Sequence, residues 1–191
     1  MGTVLGVHDA IGAQAKALDV IRRAGEYVLM TAFSFDRQDV VDELVAAKKR
    51  GIDIKLAVDK KMSLSGTTRD QLKSLKTLVA HGVRVHACQG TPYGSEYRAV
   101  GRNPVGGRGI QHSKTVMSEV EVLLGSTNFT TASRANIEVN VHVKLSREEH
   151  EKLKARLMKV FEEGAGLSEA EIEAAQKSRS ASPVRARRQG F

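Results

Sequence analysis

YVLMTAFSF (residues 27–35), DRQDVVDELVAAKKR (36–50), Gly51 and IDIKLAV (52–58) run on without a break, and their order decides the fold. The first segment is rich in β-branched and aromatic residues with no charge, the composition of a strand buried on both faces. Asp36 is expected to cap a helix that carries Val40, Val41, Leu44 and Val45 on one side. That helix closes on Lys48, Lys49 and Arg50, with Gly51 just past them. Cations in the last turn oppose the negative end of the helix dipole, and glycine accepts the left-handed conformation that ends it. The alternation in 52–58 then predicts a second strand. Upstream, Asp9 is a good cap for a helix to about Ala24, with Ile11, Ala15, Leu18 and Ile21 at helical spacing. Downstream, a helix is expected over 68–81, closed by Gly82, and VRVHA (83–87) is a further strand. Strand, helix, strand, helix, strand implies right-handed crossovers. The expected fold class is therefore α/β: a mixed, mostly parallel sheet flanked by helices in a single domain.

The periodicity stops after Ala87. Residues 89–110 hold six glycines, two prolines and the arginines Arg98, Arg102 and Arg108. A long aperiodic stretch inside a compact domain is usually functional or disordered. With a glycine-rich backbone able to approach phosphates, the three arginines are candidate substrate-binding residues. Tyr93 and Tyr97 are candidates for stacking on bases.

A hairpin is expected next, in which HSKTVMS turns into EVEVLL, followed by a strand over 137–145 and a helix capped by Ser146 that runs to about Glu163. Residues 1–165 form the expected domain, and 166–191 a short helix with a polar, basic tail expected to be disordered.

The 191 residues carry a formal charge of +8, from 30 Lys and Arg against 22 Asp and Glu, which favours polyanionic partners. Cys88, the single cysteine, can form neither an internal disulfide nor a zinc cluster. No apolar run is long enough to span a bilayer, and the N-terminal sequence lacks the layout of a signal peptide. The cytoplasm is thus the default expectation.

Chemistry concentrates in Gln111-His112-Ser113-Lys114 and in Gly125-Ser126-Thr127-Asn128. Residues two apart on a strand face one side, so His112 and Lys114 should project together. A hairpin brings the ends of its strands together, which would add the Ser126 hydroxyl and the Asn128 carboxamide. An imidazole nucleophile among such donors suits a phosphodiester, whose non-bridging oxygens need hydrogen bonds while phosphorus is attacked.

These residues resemble the HxK…D…GSxxN motif of the phospholipase D superfamily, and the likeness extends over about residues 9–163. TAFSF, LVAAKKRG, IDIKLAVD with Lys60 and Lys61, and GSTNFT are similar to the small single-motif bacterial endonucleases. The resemblance implies that His112 attacks phosphorus to give a phosphohistidine. A second histidine would protonate the leaving oxygen and then activate water. Lys114 and Asn128 would bind the non-bridging oxygens with support from Ser126, and Glu138 would orient the His112 ring. No cofactor and no metal ion is implied. Only one motif is present, so a homodimer that pairs two copies of His112 is implied. His142-Val-Lys144 also spells HxK, but no GSxxN follows and the segment matches the family's ordinary last strand. Two departures stand out: Glu119 replaces the aspartate, and the stretch from it to Gly125 is one residue short. The aspartate is by resemblance a structural support. The expected substrate is nucleic acid, DNA or RNA. The alternatives are a lipid diester such as cardiolipin, or binding of nucleic acid without catalysis.

Overall fold

The structure is a computed structural model, and it describes residues 1–65, 69–93 and 107–181. Arg98, Arg102, Tyr97, the side chain of Tyr93 and the tail beyond Ala181 lie outside the described residues.

The deciding segment folds as β2 (Tyr27–Ala32), α2 (Gln38–Lys49) and β3 (Asp53–Asp59), after β1 (Thr3–His8) and α1 (Ala10–Arg23). Then come α3 (Lys60–Ser65), α4 (Arg69–Ala80), β4 (Arg84–Tyr93), β5 (Gly107–Ile110), β6 (Lys114–Met117) and β7 (Val122–Gly125). The chain continues with β8 (Asn140–Lys144), α5 (Arg147–Glu162), β9 (Ala165–Gly166) and α6 (Glu169–Ala181).

The strands form one mixed sheet in the order β1-β8-β7-β6-β2-β3-β4-β5, with β9 paired to β4. Only β2–β3 and β3–β4 are parallel; every other pair among the described residues is antiparallel. The expectation of a mostly parallel sheet is corrected accordingly. Helical crossovers enforce parallel pairing only as far as β4. Beyond it the β6–β7 hairpin reverses the chain, and β8 pairs antiparallel to β7 in turn.

All six residues of β2 are buried because helices cover both faces of the sheet. On one face Val28, Met30, Ile54 and Leu56 pack against Ile21 of α1, Leu44 of α2 and Leu75 of α4. On the other, Leu29, Met117 and Val122 pack under Leu157 of α5. Each fully buried aliphatic side chain of this kind contributes about 1.5–3 kcal/mol. α6 joins the first layer by burying Ile172 against it, so residues 177–181, expected to begin the tail, are helical.

Local signals account for most boundaries. The Asp9 side chain accepts from Gly12 N at 2.7 Å to start α1. Ser146 and Glu149 form a reciprocal capping box on α5. Gly51 and Gly82 take φ of 90° and 77° where α2 and α4 end. Asp36, by contrast, does not cap α2. Its carboxylate accepts from Thr131 N at 3.0 Å, and the helix begins after Arg37. A tertiary partner took the cap away.

The aperiodic stretch is also partly regular. β4 runs on to Tyr93 and pairs antiparallel with β5, giving a two-stranded ribbon that projects from the sheet.

Candidate active site

β2 and β3 are parallel and end together, while β6 is antiparallel to β2 and so begins at that same edge. The β6–β7 hairpin pairs Lys114 with Gly125, and Gly125 with Asn140 across β7–β8. The start of β6, the end of β7 and the start of β8 are thereby gathered at the C-terminal ends of the parallel strands. Open α/β sheets bind their ligands at such an edge.

His112 lies in the extended segment just before β6, and its ring is exposed to solvent. Phe33, just past β2, packs on it with ring centroids 4.7 Å apart. The same Phe33 ring lies 5.3 Å from the Lys114 ammonium, so the two side chains share one side as the strand period requires. Lys114 is only 5% exposed. Its Nζ donates to the His112 carbonyl at 2.6 Å, the one hydrogen bond it makes among the described residues. Its other two N–H groups meet no acceptor among the described residues. Burial lowers the Lys114 pKa, and the charge of Glu138 opposes that shift. Partial burial, followed by the neighbouring Lys114 cation, pushes the His112 imidazole below its usual value, while Asp59 pulls it back. A lowered pKa favours the neutral ring, the form that can attack.

Ser126 donates its hydroxyl to the Val139 carbonyl at 3.4 Å and accepts from Val139 N at 3.1 Å. It clips the end of β7 to the segment that enters β8 and carries Glu138. Asn128 is half-buried, and its Oδ1 is buried with no hydrogen-bond partner among the described residues. Glu138 accepts from Asn136 Nδ2 at 3.1 Å, and among the described residues no hydrogen bond joins it to His112. Its charge acts on Lys114 instead. Arg108 is exposed on β5.

Several positioning residues were invisible in the sequence. Asp59, 1% exposed at the end of β3, accepts from Gln111 N at 3.0 Å and Met62 N at 2.8 Å, fixing the backbone beside His112. Ser113 Oγ donates to Thr31 Oγ1 at 2.9 Å. Gln14 on α1 donates to the carbonyls of Asn128 and Thr130 at 3.0 and 2.9 Å. Asn140 accepts from Thr127 N at 3.2 Å and donates to Thr127 Oγ1 at 2.7 Å. Glycine is required at 125 because a Cβ there would stand 2.6 Å from the Asn140 Cα and the Val139 carbonyl. Most of these bonds join residues more than fifty positions apart and leave no local pattern. The only trace was a polar residue (Gln14, Asp59, Asn140) inside an otherwise apolar element.

Glu119 stands where the motif has aspartate, at the far end of the hairpin. Its carboxylate accepts from the backbone N–H groups of Gly25, Glu26 and Tyr27 at 2.7, 3.3 and 3.5 Å. Burial alone would raise its pKa, but these donors together hold it below the usual carboxylate range. The longer side chain thus ties the α1–β2 turn to the hairpin. His142 is 5% exposed, with Nε2 2.6 Å from Oε2 of Glu121, the residue just before β7.

A mixed sheet between helical layers, with HxK and GSxxN residues converging at one edge, defines a protein of phospholipase D type. The sequence family described as "Cardiolipin synthase, PLD-like domain" matches residues 17–163, and the chain belongs to this phospholipase D superfamily. Among solved structures, a phospholipase D family member, Nuc from Salmonella typhimurium, superposes with a TM-score of 0.69 at 24% identity over 87% of this chain and 99% of that one. NucT from Helicobacter pylori gives 0.66 at 20% identity, over 87% and 100%. Phosphatidylserine synthase from Haemophilus influenzae gives 0.59 at 13% identity, over 95% and 46%. No curated protein sequence matches the chain.

Proposed function

We propose that the chain is a metal-independent phosphodiesterase that cleaves DNA or RNA through a phosphohistidine on His112, in a site shared by two protomers. The observation that carries this reading is an exposed imidazole beside a buried ammonium that makes a single hydrogen bond among the described residues. His112 attacks phosphorus, the P–O ester bond breaks, and its electron pair passes to the leaving oxygen. The second protomer's copy of the same histidine, protonated, supplies the proton to that oxygen. It then takes a proton from water, which attacks phosphorus and breaks the P–N bond. Such acid–base help is worth about 10²–10⁴-fold.

Lys114 and Asn128 bind the non-bridging oxygens, and Ser126 braces the loop between them. Glu138 acts in this geometry through Lys114, keeping the ammonium charged. A second copy is favoured by an apolar strip beside the site. Val7, Leu124 and Val139 are exposed on the face that α5 leaves uncovered, and register places Val7 and Leu124 on either side of Val141. Patches of this kind mark protein interfaces.

Nucleic acid is favoured by the basic charge of the chain and by Arg156 in the cavity that reaches His112. Membership of a family described by cardiolipin synthase keeps a lipid diester as the second reading. Incubation in EDTA with single-stranded DNA, RNA, plasmid and cardiolipin vesicles separates the two. Cleavage of nucleic acid that disappears in His112→Ala is expected. Turnover of lipid alone, or binding of nucleic acid without cleavage, overturns the reading.

A further inference from the structure

Two cavities, of about 490 and 620 Å³, share lining residues on β4 together with Arg156 of α5 and Glu163 just past it, so they form one continuous cleft. Its walls are the β4–β5 ribbon and α5. His112 and Ser113 lie at one end. Lys60, Arg108 and Lys159 line the other.

The ribbon wall is tightly built. A Cβ at Gly90 would stand 2.5 Å from the carbonyl carbon of Gly109, so only glycine permits this pairing. On the opposite wall Arg156 and Lys159 are three residues apart on one helix and therefore share a face. All four cations of the cleft are exposed. Among the described residues, Arg156, Arg108 and Lys60 have no carboxylate within salt-bridge distance, and Lys159 has only a 3.9 Å approach to Glu163. Cations elsewhere, such as Arg22 and Lys76, sit 2.8 and 2.6 Å from carboxylates. The cleft that ends at His112 therefore holds four cations against one carboxylate, Glu163, an excess of positive charge.

We propose that this cleft carries one polynucleotide strand away from the scissile phosphate, with Arg156 and Lys159 holding the phosphates next in line. The proposal rests on the nuclease reading above and adds to it the path and strandedness of the substrate. Cavities of a few hundred Å³ each hold a group of small-ligand size. About one nucleotide fits in each, and a duplex would lie across the rim instead of entering. Arginine suits the role because its planar fork matches two phosphate oxygens at once.

The test compares wild type with Arg156→Gln/Lys159→Gln on a dinucleotide and on a single-stranded dodecamer at several salt concentrations. Both side chains point to solvent, so the variant should fold. For wild type, KM is expected to fall about tenfold from the short to the long substrate as the added phosphates gain contacts. The double variant should lose that gain, and its log–log salt slope should be shallower by about 1.4, roughly 0.7 per lost contact. An undiminished length effect and salt slope in the variant refute the cleft while leaving the nuclease reading intact. Wild-type protein that cuts neither substrate, or a variant impaired only on cardiolipin vesicles, removes the nuclease reading and the cleft with it.

Discussion

Replacing Glu119 by alanine separates a structural from a chemical role for the residue at the motif's aspartate position. The carboxylate meets three backbone donors, but only the one from Gly25, at 2.7 Å, has the length of a strong charge-assisted bond. Those from Glu26 and Tyr27, at 3.3 and 3.5 Å, are weak. Hydrogen bonds to a charged group contribute about 1.5–3 kcal/mol, and the turn is exposed enough for water to replace part of that. The expected loss is therefore about 1–2 kcal/mol. For a chain of this length each kcal/mol lowers Tm by roughly 2–4 °C.

The pH dependence follows from the direction of the shift. A carboxylate whose pKa is lowered by folding adds stability that is fully present above its unfolded value of about 4.3 and is lost as pH falls through the folded value. The gap in Tm between wild type and Glu119→Ala should accordingly close below pH 4. Turnover should hold at temperatures where both proteins are folded, because Glu119 lies five residues beyond Lys114, roughly 17 Å along an extended strand. Thermal denaturation by circular dichroism at pH 7 and pH 3, with a cleavage assay at 20–25 °C, reads all three. A variant of unchanged Tm that lost turnover would refute the structural assignment.

Lys114→Met should reduce kcat by about 10²–10³-fold, the scale for losing one donor to a developing negative charge. It should also move the acid limb of the pH–rate profile upward, since removing the cation relieves the depression of the His112 pKa; an unmoved limb argues against their coupling. The wild-type profile should be bell-shaped, one imidazole acting neutral and the other protonated, and a rate climbing steadily to high pH would contradict the pair. Val7→Glu/Leu124→Glu should convert a dimer to a monomer in analytical ultracentrifugation and abolish cleavage with it. A monomeric wild type, or a fully active monomeric variant, excludes the shared site.

Much of the architecture was legible because it is locally encoded. Residues 27–58 show strand and helix periods with their stop signals, and Gly51 and Gly82 end helices as expected. The hairpin that brings the start of β6 to the end of β7 follows from the two strand-like runs and the turn between them. The errors share a cause. β1 was missed because it is an edge strand that exposes Val4, Leu5 and Val7 around a bulge, so no alternation marks it. Asp36 has the sequence signature of a cap, and no local pattern shows that Thr131 claims its carboxylate. The ribbon hid in a glycine-rich stretch where backbone pairing, not side-chain pattern, makes the strand. At the site, motif residues could be named, but Phe33, Asp59 and Gln14 act across long sequence separations that only folding reveals.

The most direct test of a site shared by two imidazoles is subunit mixing. Wild type and His112→Ala are unfolded together, refolded at equal amounts and assayed for cleavage in EDTA. If each site needs both copies of His112, only the dimers with two wild-type chains cut, and activity falls to about one quarter of that of the same total amount of wild-type protein. Activity of one half would mean that each protomer works alone, and the two-histidine mechanism would be wrong.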